Sequence, residues 1–251
     1  MERDRIRAFP VAYARGCVAH CTFCYHCFRG ARYRHRSARS VIDEIKLLQS
    51  LYGVNYIMTS DDLMFSTKQQ INDFLELIAK ERLDFYWTGI VRGNMFQSDA
   101  DLDLLKKVKG AGCVRLGSAL ESADEEILKA MRKRVSLEQF RRQKMLLNKA
   151  GLTSGTSIVL GYPQETPETI GKTFQFCMDI GIYPSTGFLL PQPGTPIYEW
   201  AKKEKYIRDE EEYLLNMGDR QDLRINLTKM SDQEFVDVVT YWLSKLNKKL
   251  N

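Results

Sequence analysis

Short runs of β-branched and aromatic residues alternate along the chain with stretches whose apolar side chains recur every three or four positions, the pattern of strands followed by amphipathic helices. The first strand is predicted at 9–14. A helix then starts at Ser40, carries Val41, Ile45, Leu48 and Tyr52 on its apolar face and stops at Gly53. Residues 54–59 form the second strand, which ends in the polar turn Ser60-Asp61-Asp62. The next helix opens with a capping box from Ser66 to Gln69 and carries Ile71, Phe74, Leu75 and Ile78 on one side. The third strand, 85–91, ends at Arg92, and a helix over 100–109 follows. The fourth, 113–118, runs into Leu120-Glu121-Ser122, with helices near 124–131 and from a Ser136 cap to Gly151. The fifth strand is 152–160, and its helix starts at Thr166 with Pro167 where a missing donor is tolerated. The sixth, 185–190, ends in Pro191-Gln192-Pro193-Gly194-Thr195-Pro196. A last helix, capped by Ser231, bears Phe235, Val239, Trp242 and Leu246.

Repeated strand, helix, parallel strand units imply right-handed crossovers and a curved sheet with helices outside. The predicted fold class is α/β, a partial (β/α)6 TIM barrel with parallel strands and a short helical C-terminal tail. Residues 1–205 would be the core barrel and 206–251 the helical extension. Polar residues recur just past the C-terminal strand ends, where such folds place their chemistry.

The chain has 251 residues, 44% of them hydrophobic and 27% charged, the balance of a globular protein able to bury a core. Its net charge of +5 reflects 37 basic against 32 acidic residues, partly concentrated in Arg29, Arg32, Arg34, Arg36 and Arg39. So modest an excess does not mark a nucleic-acid binder. The first eight residues are charged, with no apolar leader segment, and no apolar run is long enough to span a membrane. A cytoplasmic location is expected, where thiols stay reduced.

Four of the six cysteines, Cys17, Cys21, Cys24 and Cys27, fall close together, which argues for metal over a disulfide scaffold. In Arg15-Gly16-Cys17-Val18-Ala19-His20-Cys21-Thr22-Phe23-Cys24 the spacing offers three thiolates in one tight loop, whereas a four-iron cubane takes four ligands. An open metal position is a mark of catalysis, while a structural site closes its shell. Gly16 lets the backbone bend close to the cluster, and Phe23 shields it from water. The competing readings are a zinc knuckle drawing on His20, His26 or Cys27, and a ferredoxin-like carrier. Zinc would want a second ligand pair, and Cys113 and Cys177 stand alone as buried apolar thiols.

C-x3-C-x2-C with an aromatic before the third cysteine resembles the signature of the radical S-adenosylmethionine superfamily, and the other motifs resemble its cobalamin-type branch. The resemblance spans residues 9 to about 205. It implies a 4Fe-4S cluster held by Cys17, Cys21 and Cys24, with S-adenosylmethionine chelating the open iron. One electron then cleaves the cofactor to methionine and a 5′-deoxyadenosyl radical that abstracts hydrogen. Cys27 is on this reading a bystander. Asp61 and Asp62 match the D-D-x-x-F turn that accepts the methionine ammonium. Gly117 to Ser122 is similar to a G-x-E-S segment and assigns Glu121 to the ribose or amino group, or to anchoring a loop through Arg92. Lys133, in Met131-Arg132-Lys133, resembles the basic step that reaches the cofactor carboxylate. Residues 157–165 resemble the adenine-contacting G-x-I-x-G-x-x-E pattern, with Val159 at its centre, Ser157 in place of the first glycine and Gln164 in place of the glutamate. The 191–196 turn resembles P-x-P-G-T-P and turns Gln192 toward substrate.

The branch's larger members carry an N-terminal cobalamin domain, but only sixteen residues precede Cys17 here. Whether by truncation or natural loss, that domain is expected to be missing, so cobalamin is possible but unsupported by this chain unless another chain supplies it, and hydrogen abstraction from a small-molecule substrate is the expected activity. A methylthiotransferase-like or RNA-modifying enzyme and a non-catalytic iron-sulfur electron carrier are the alternatives. A low-potential electron implies a flavodoxin or ferredoxin partner.

Overall fold

The computed structural model describes residues 5–25 and 32–250. In chain order its strands are β1 (Ala8–Val11), β2 (Ala14–Arg15), β3 (Arg34–His35), β4 (Tyr56–Thr59), β5 (Tyr86–Ile90), β6 (Cys113–Gly117), β7 (Thr153–Leu160) and β8 (Pro184–Phe188). The helices are α1 (Ala38–Tyr52), α2 (Lys68–Lys80), α3 (Asp101–Gly110), α4 (Glu125–Ala130), α5 (Leu137–Lys149), α6 (Pro167–Asp179), α7 (Pro196–Lys203), α8 (Glu210–Leu215) and α9 (Asp232–Leu250). Strands β1, β4, β5, β6, β7 and β8 make one parallel sheet in that order, and β2 pairs with β3 in a separate antiparallel ladder. The strand order and the intervening helices are those of the partial (β/α)6 barrel expected from the sequence. Among the described residues no helix is long and apolar enough to cross a membrane.

The described residues form two compact units, one of 5–18, 32–118 and 138–155, the other of 19–25, 119–137 and 156–250. The first is built on most of the predicted apolar faces, except that Tyr52, expected on that of α1, is exposed and Ile42 is buried instead. Ile42 and Ile45 of α1, Ile71 and Phe74 of α2, Leu105 of α3 and Leu146 of α5 are buried with Trp87 and Leu116 from the sheet. Each such side chain contributes about 1.5–3 kcal/mol on burial. Trp87 meets Phe65 and Phe74 edge-on, and its indole N–H donates to the Ala111 carbonyl at 2.8 Å.

Element boundaries differ from expectation where a side chain claims a backbone donor. The first strand stops at Val11 instead of reaching 14, because the N–H groups of Tyr13 and Ala14 turn to the Asp61 carboxylate. Helix α1 is capped by Ser37, whose hydroxyl accepts the Ser40 N–H at 3.2 Å, three residues before the predicted start. The capping box of α2 joins Thr67 to Gln70, one position beyond the predicted pair, and the Gln70 carbonyl oxygen also accepts the Ser66 N–H at 2.8 Å. The cap of α6 by Thr166, with Pro167 in its first turn, is as predicted.

In the second unit the amphipathic α9 packs on α6 at a glycine: a Cβ on Gly171 would stand 2.8 Å from the Trp242 ring, and Phe174 stacks on that ring at 6.4 Å. Phe235 of the same helix is fully buried against Phe188 and Gly161. Helices α7 and α8 were not expected from the sequence.

Two glycines separate crowding from conformational cost. Gly112 adopts φ +86° with the Phe85 carbonyl oxygen 2.1 Å from where a Cβ would sit, whereas Gly151, at φ +72°, has nothing within 4 Å. Gly151→Ala should cost about 1 kcal/mol and Gly112→Ala at least about 2 kcal/mol more, read as urea midpoints; equal losses would show that the Phe85 contact is soft.

Candidate functional site

All three motif cysteines lie between β2 and β3 in the chain, so the segment that carries them is flanked by the two strands of that ladder. Ala14 pairs with His35 and Arg15 with Arg34, and the Arg36 N–H donates to the Tyr13 carbonyl at 2.9 Å. The leg entering the loop is tied down by Asp61, which is 5% exposed. Its carboxylate accepts the Tyr13 N–H at 3.2 Å, the Ala14 N–H and the Thr59 hydroxyl. Gly16 then turns the chain at φ +79°. Of the other residues expected in this unit, Cys17 and Arg92 are half-buried and Asp62 is exposed. Arg92 follows β5 in a segment fixed by Gln143, a fully buried side chain whose oxygen accepts the N–H groups of Met95 and Phe96 at 2.8 and 3.1 Å.

In the second unit Cys21 is buried and Cys24 half-buried, and the Cys24 N–H donates to the Cys21 carbonyl at 3.2 Å in a tight turn. Thr22, between them, is the anchor. Its N–H donates to the Met131 carbonyl at 3.0 Å and its own carbonyl accepts the Ile197 N–H at 3.1 Å. Its hydroxyl donates to the Ala130 carbonyl at 2.9 Å and meets the Tyr162 hydroxyl at 2.7 Å. Phe23 lies edge-on to Tyr162 at 6.2 Å, packed on the apolar cluster that includes Met131, Val159 and Ile197.

Glu121 is 6% exposed and holds a left-handed φ of +74°. The Lys133 ammonium donates to Glu121 Oε1 at 3.0 Å, with side chains 11% and 8% exposed. Such a pair holds geometry more than it adds stability, because each charge gives up water to form it. The Glu121 carbonyl accepts the Val159 N–H at 2.9 Å. The second unit thus links Glu121 to Lys133 through its carboxylate and to Val159 through its carbonyl, and Val159 shares an apolar cluster with Phe23. Gln192 is half-buried, its carbonyl accepting the Thr195 N–H and hydroxyl at 3.0 and 2.8 Å. His26 and Cys27 lie outside the described residues. Burial pushes the Cys113 and Cys177 thiols up to about 12, as expected of apolar packing residues.

Sequence reasoning missed Thr22, Tyr162 and Glu165. The buried acid of the 157–165 segment is Glu165, 2% exposed, one residue beyond the Gln164 that departed from the pattern. It accepts the Gly161 N–H at 3.3 Å and the Thr169 hydroxyl at 2.7 Å.

Among the described residues no three His, Cys, Asp or Glu side chains converge on a point as ligands of a single ion would. A cubane asks something else of its ligands, since thiolates on three different irons stand farther apart than donors sharing one ion. The donor set suits it by chemistry, with three soft sulfur ligands close together in the chain after a glycine bend.

The family model of the radical SAM superfamily matches residues 11–177, which include the three motif cysteines and the whole of four of the six parallel strands, β4, β5, β6 and β7. The chain belongs to this superfamily. It is 32% identical over 193 residues to an uncharacterized methyltransferase of Pyrococcus horikoshii, a match covering 76% of this chain and 41% of that protein. It is 27% identical over 173 residues to the anaerobic magnesium-protoporphyrin IX monomethyl ester cyclase of Rubrivivax gelatinosus, covering 66% of this chain and 30% of the cyclase. The chain thus spans less than half the length of these two curated relatives. In fold it resembles the radical S-adenosylmethionine methyltransferase TsrM of Kitasatospora setae, with TM-score 0.65 at 22% identity over 79% of this chain and 40% of that one. It likewise resembles the coproporphyrinogen III oxidase HemN of Escherichia coli, with TM-score 0.63 at 15% identity over 96% and 52%. This radical SAM chain is an enzyme of the α/β type its sequence announces.

Burial raises the Glu165 carboxyl to about 7, against the pull of its Thr169 and Gly161 donors. The folded state therefore holds this proton more tightly than the unfolded chain, and its contribution is intact below about 4.5 and lost as pH rises through about 7. Between pH 5 and pH 8 the stability of the native protein relative to Glu165→Gln should fall by roughly 2 to 3 kcal/mol. Urea unfolding of both across that range measures it, and parallel curves would contradict it.

Proposed function

We propose that Cys17, Cys21 and Cys24 hold a four-iron four-sulfur cluster with which this chain uses S-adenosylmethionine as a radical source. When bound, cluster and cofactor together supply reductive cleavage to methionine and a 5′-deoxyadenosyl radical, which takes a hydrogen atom from a small-molecule substrate. What carries the reading is three thiolates on one loop whose ends are pinned by the β2–β3 ladder and Asp61. Three ligands leave one metal corner for the cofactor's amino and carboxylate groups.

The chain's own residues divide the work of binding. Asp61 spends its carboxylate on backbone donors, so Asp62 beside it is the acceptor offered to the methionine ammonium. Lys133 meets the cofactor carboxylate while Glu121, held by Lys133, meets the ribose or amino group, and Arg92 adds a second cation. Val159 gives the adenine an apolar contact, and Phe23 keeps water from the cysteine turn. Residues 1–205 serve as the radical core and 206–251 as a helical extension, in a cytoplasmic enzyme supplied with electrons by flavodoxin or ferredoxin. A second reading, methyl transfer, is favoured by the name of the Pyrococcus relative. Cobalamin is a possible cofactor on that reading.

Anaerobic reconstitution with iron and sulfide, then a strong reductant and S-adenosylmethionine, should yield 5′-deoxyadenosine and methionine. S-adenosylhomocysteine as the product would instead select methyl transfer. Cys21→Ala should keep the circular dichroism of the native fold and lose iron and 5′-deoxyadenosine formation to background; full iron and sulfide in that variant would refute the ligand assignment.

A further inference from the structure

The arginines around the cysteine loop are not equivalent. Arg36 bonds the Glu44 carboxylate and the carbonyls of Ala12 and Ser40, and Arg39 bonds Glu81 at 2.7 Å and Asp43 at 3.5 Å. Arg15, Arg32 and Arg34 are exposed, and among the described residues no carboxylate pairs with any of them. Arg15 and Arg34 are moreover direct cross-strand partners in the β2–β3 ladder, two like charges on one face of a two-residue pairing. Like charges directly opposite work against a ladder, by several tenths of a kcal/mol at such exposed positions. The fold keeps this repulsion at the neck of the loop, with Arg15 two residues before Cys17 and Val18 46% exposed.

We propose that this neck, formed by Arg15, Arg32, Arg34 and Val18, is where an acidic electron-donor protein docks, a reduced flavoprotein or iron-sulfur protein. The inference rests on the cluster reading above. A donor gives up one electron and becomes oxidised by one, and the cluster held by the adjacent loop gains it, with no proton or group transferred. A cluster of unpaired cations speeds encounter with an acidic surface, and an exposed apolar residue among them suits the small, transient interfaces of redox partners. A nucleic acid is a poorer fit, since binding through phosphates draws on many cations and two of the nearby arginines are already neutralised within the fold.

Arg34→Glu is an informative variant because it turns the repulsive pair into an attractive one, so its thermal midpoint should match or exceed the native value. Lys229→Glu changes net charge equally at an exposed position outside the neck. Binding of a purified flavodoxin to the reconstituted full chain is measured by calorimetry at about 20 mM and about 300 mM salt. Arg34→Glu should weaken it roughly tenfold or more at low salt and Lys229→Glu less than twofold, with dithionite-driven 5′-deoxyadenosine formation unchanged in both. Should Arg34→Glu unfold the chain, Arg32→Glu asks the same question outside the ladder. Native-strength flavodoxin binding by Arg34→Glu, an equal loss in Lys229→Glu, or preference of this face for a single-stranded RNA oligomer would overturn the proposal. Absence of dithionite-driven cleavage in the native protein would sink the cluster reading instead, and the binding measurement would still decide the docking surface.

Discussion

One buried acid decides where the barrel's first strand ends and the cysteine loop begins. Two backbone N–H groups and a threonine hydroxyl converge on the Asp61 carboxylate, and the donors of Tyr13 and Ala14 would otherwise be lost from any ladder at buried positions. Leaving a buried donor unsatisfied costs about 1–3 kcal/mol, so the chain stays turned at this point. Because the returning leg pairs back through β3 and the Arg36 N–H, the loop enters and leaves through one short neck. Confining both ends removes loop-closure entropy before any metal binds.

Within the second unit the same economy recurs around Thr22. A single residue ties the cysteine turn to the end of α4, to Tyr162 after β7 and to the first turn of α7. All three attachment points follow the C-terminal ends of strands or the helices that succeed them. In a parallel α/β fold that edge carries the chemistry because loops there vary without disturbing the core. Glu121 is held in this unit as well, its carbonyl by the Val159 N–H and its carboxylate by the Lys133 ammonium.

What the sequence revealed follows from what kind of signal each feature leaves. The six strands and the faces of α1 and α2 were legible because burial imposes a period on residues close in the chain. The cysteines were legible because ligand chemistry is written in residue type and spacing. Thr22 was not, since its hydroxyl partners are more than a hundred residues away and a threonine beside a cysteine carries no pattern. Asp61 was singled out for its charge, yet its backbone-binding role depends on a neighbouring strand that no local pattern announces. Glu121 and Lys133 were each named for the cofactor, and only the fold joins them. The buried acid after β7 sits at Glu165 and not at the position the motif suggested, because it is the Gly161 N–H, reached from the capped start of α6, that selects the residue. Helix boundaries slipped for the same reason: Ser37 and Thr67 were chosen over neighbouring candidates by backbone conformation, which the spelling of the segment leaves open.

A loop so anchored, offering three thiolates, has a specific spectroscopic consequence. The most direct measurement is the Mössbauer spectrum of the anaerobically reconstituted protein with and without S-adenosylmethionine. A cubane with one iron lacking a cysteine ligand predicts that a single iron of the four changes its parameters when the cofactor binds. A spectrum in which no iron responds, or a purified protein that takes up zinc and forms no cluster, would contradict the account.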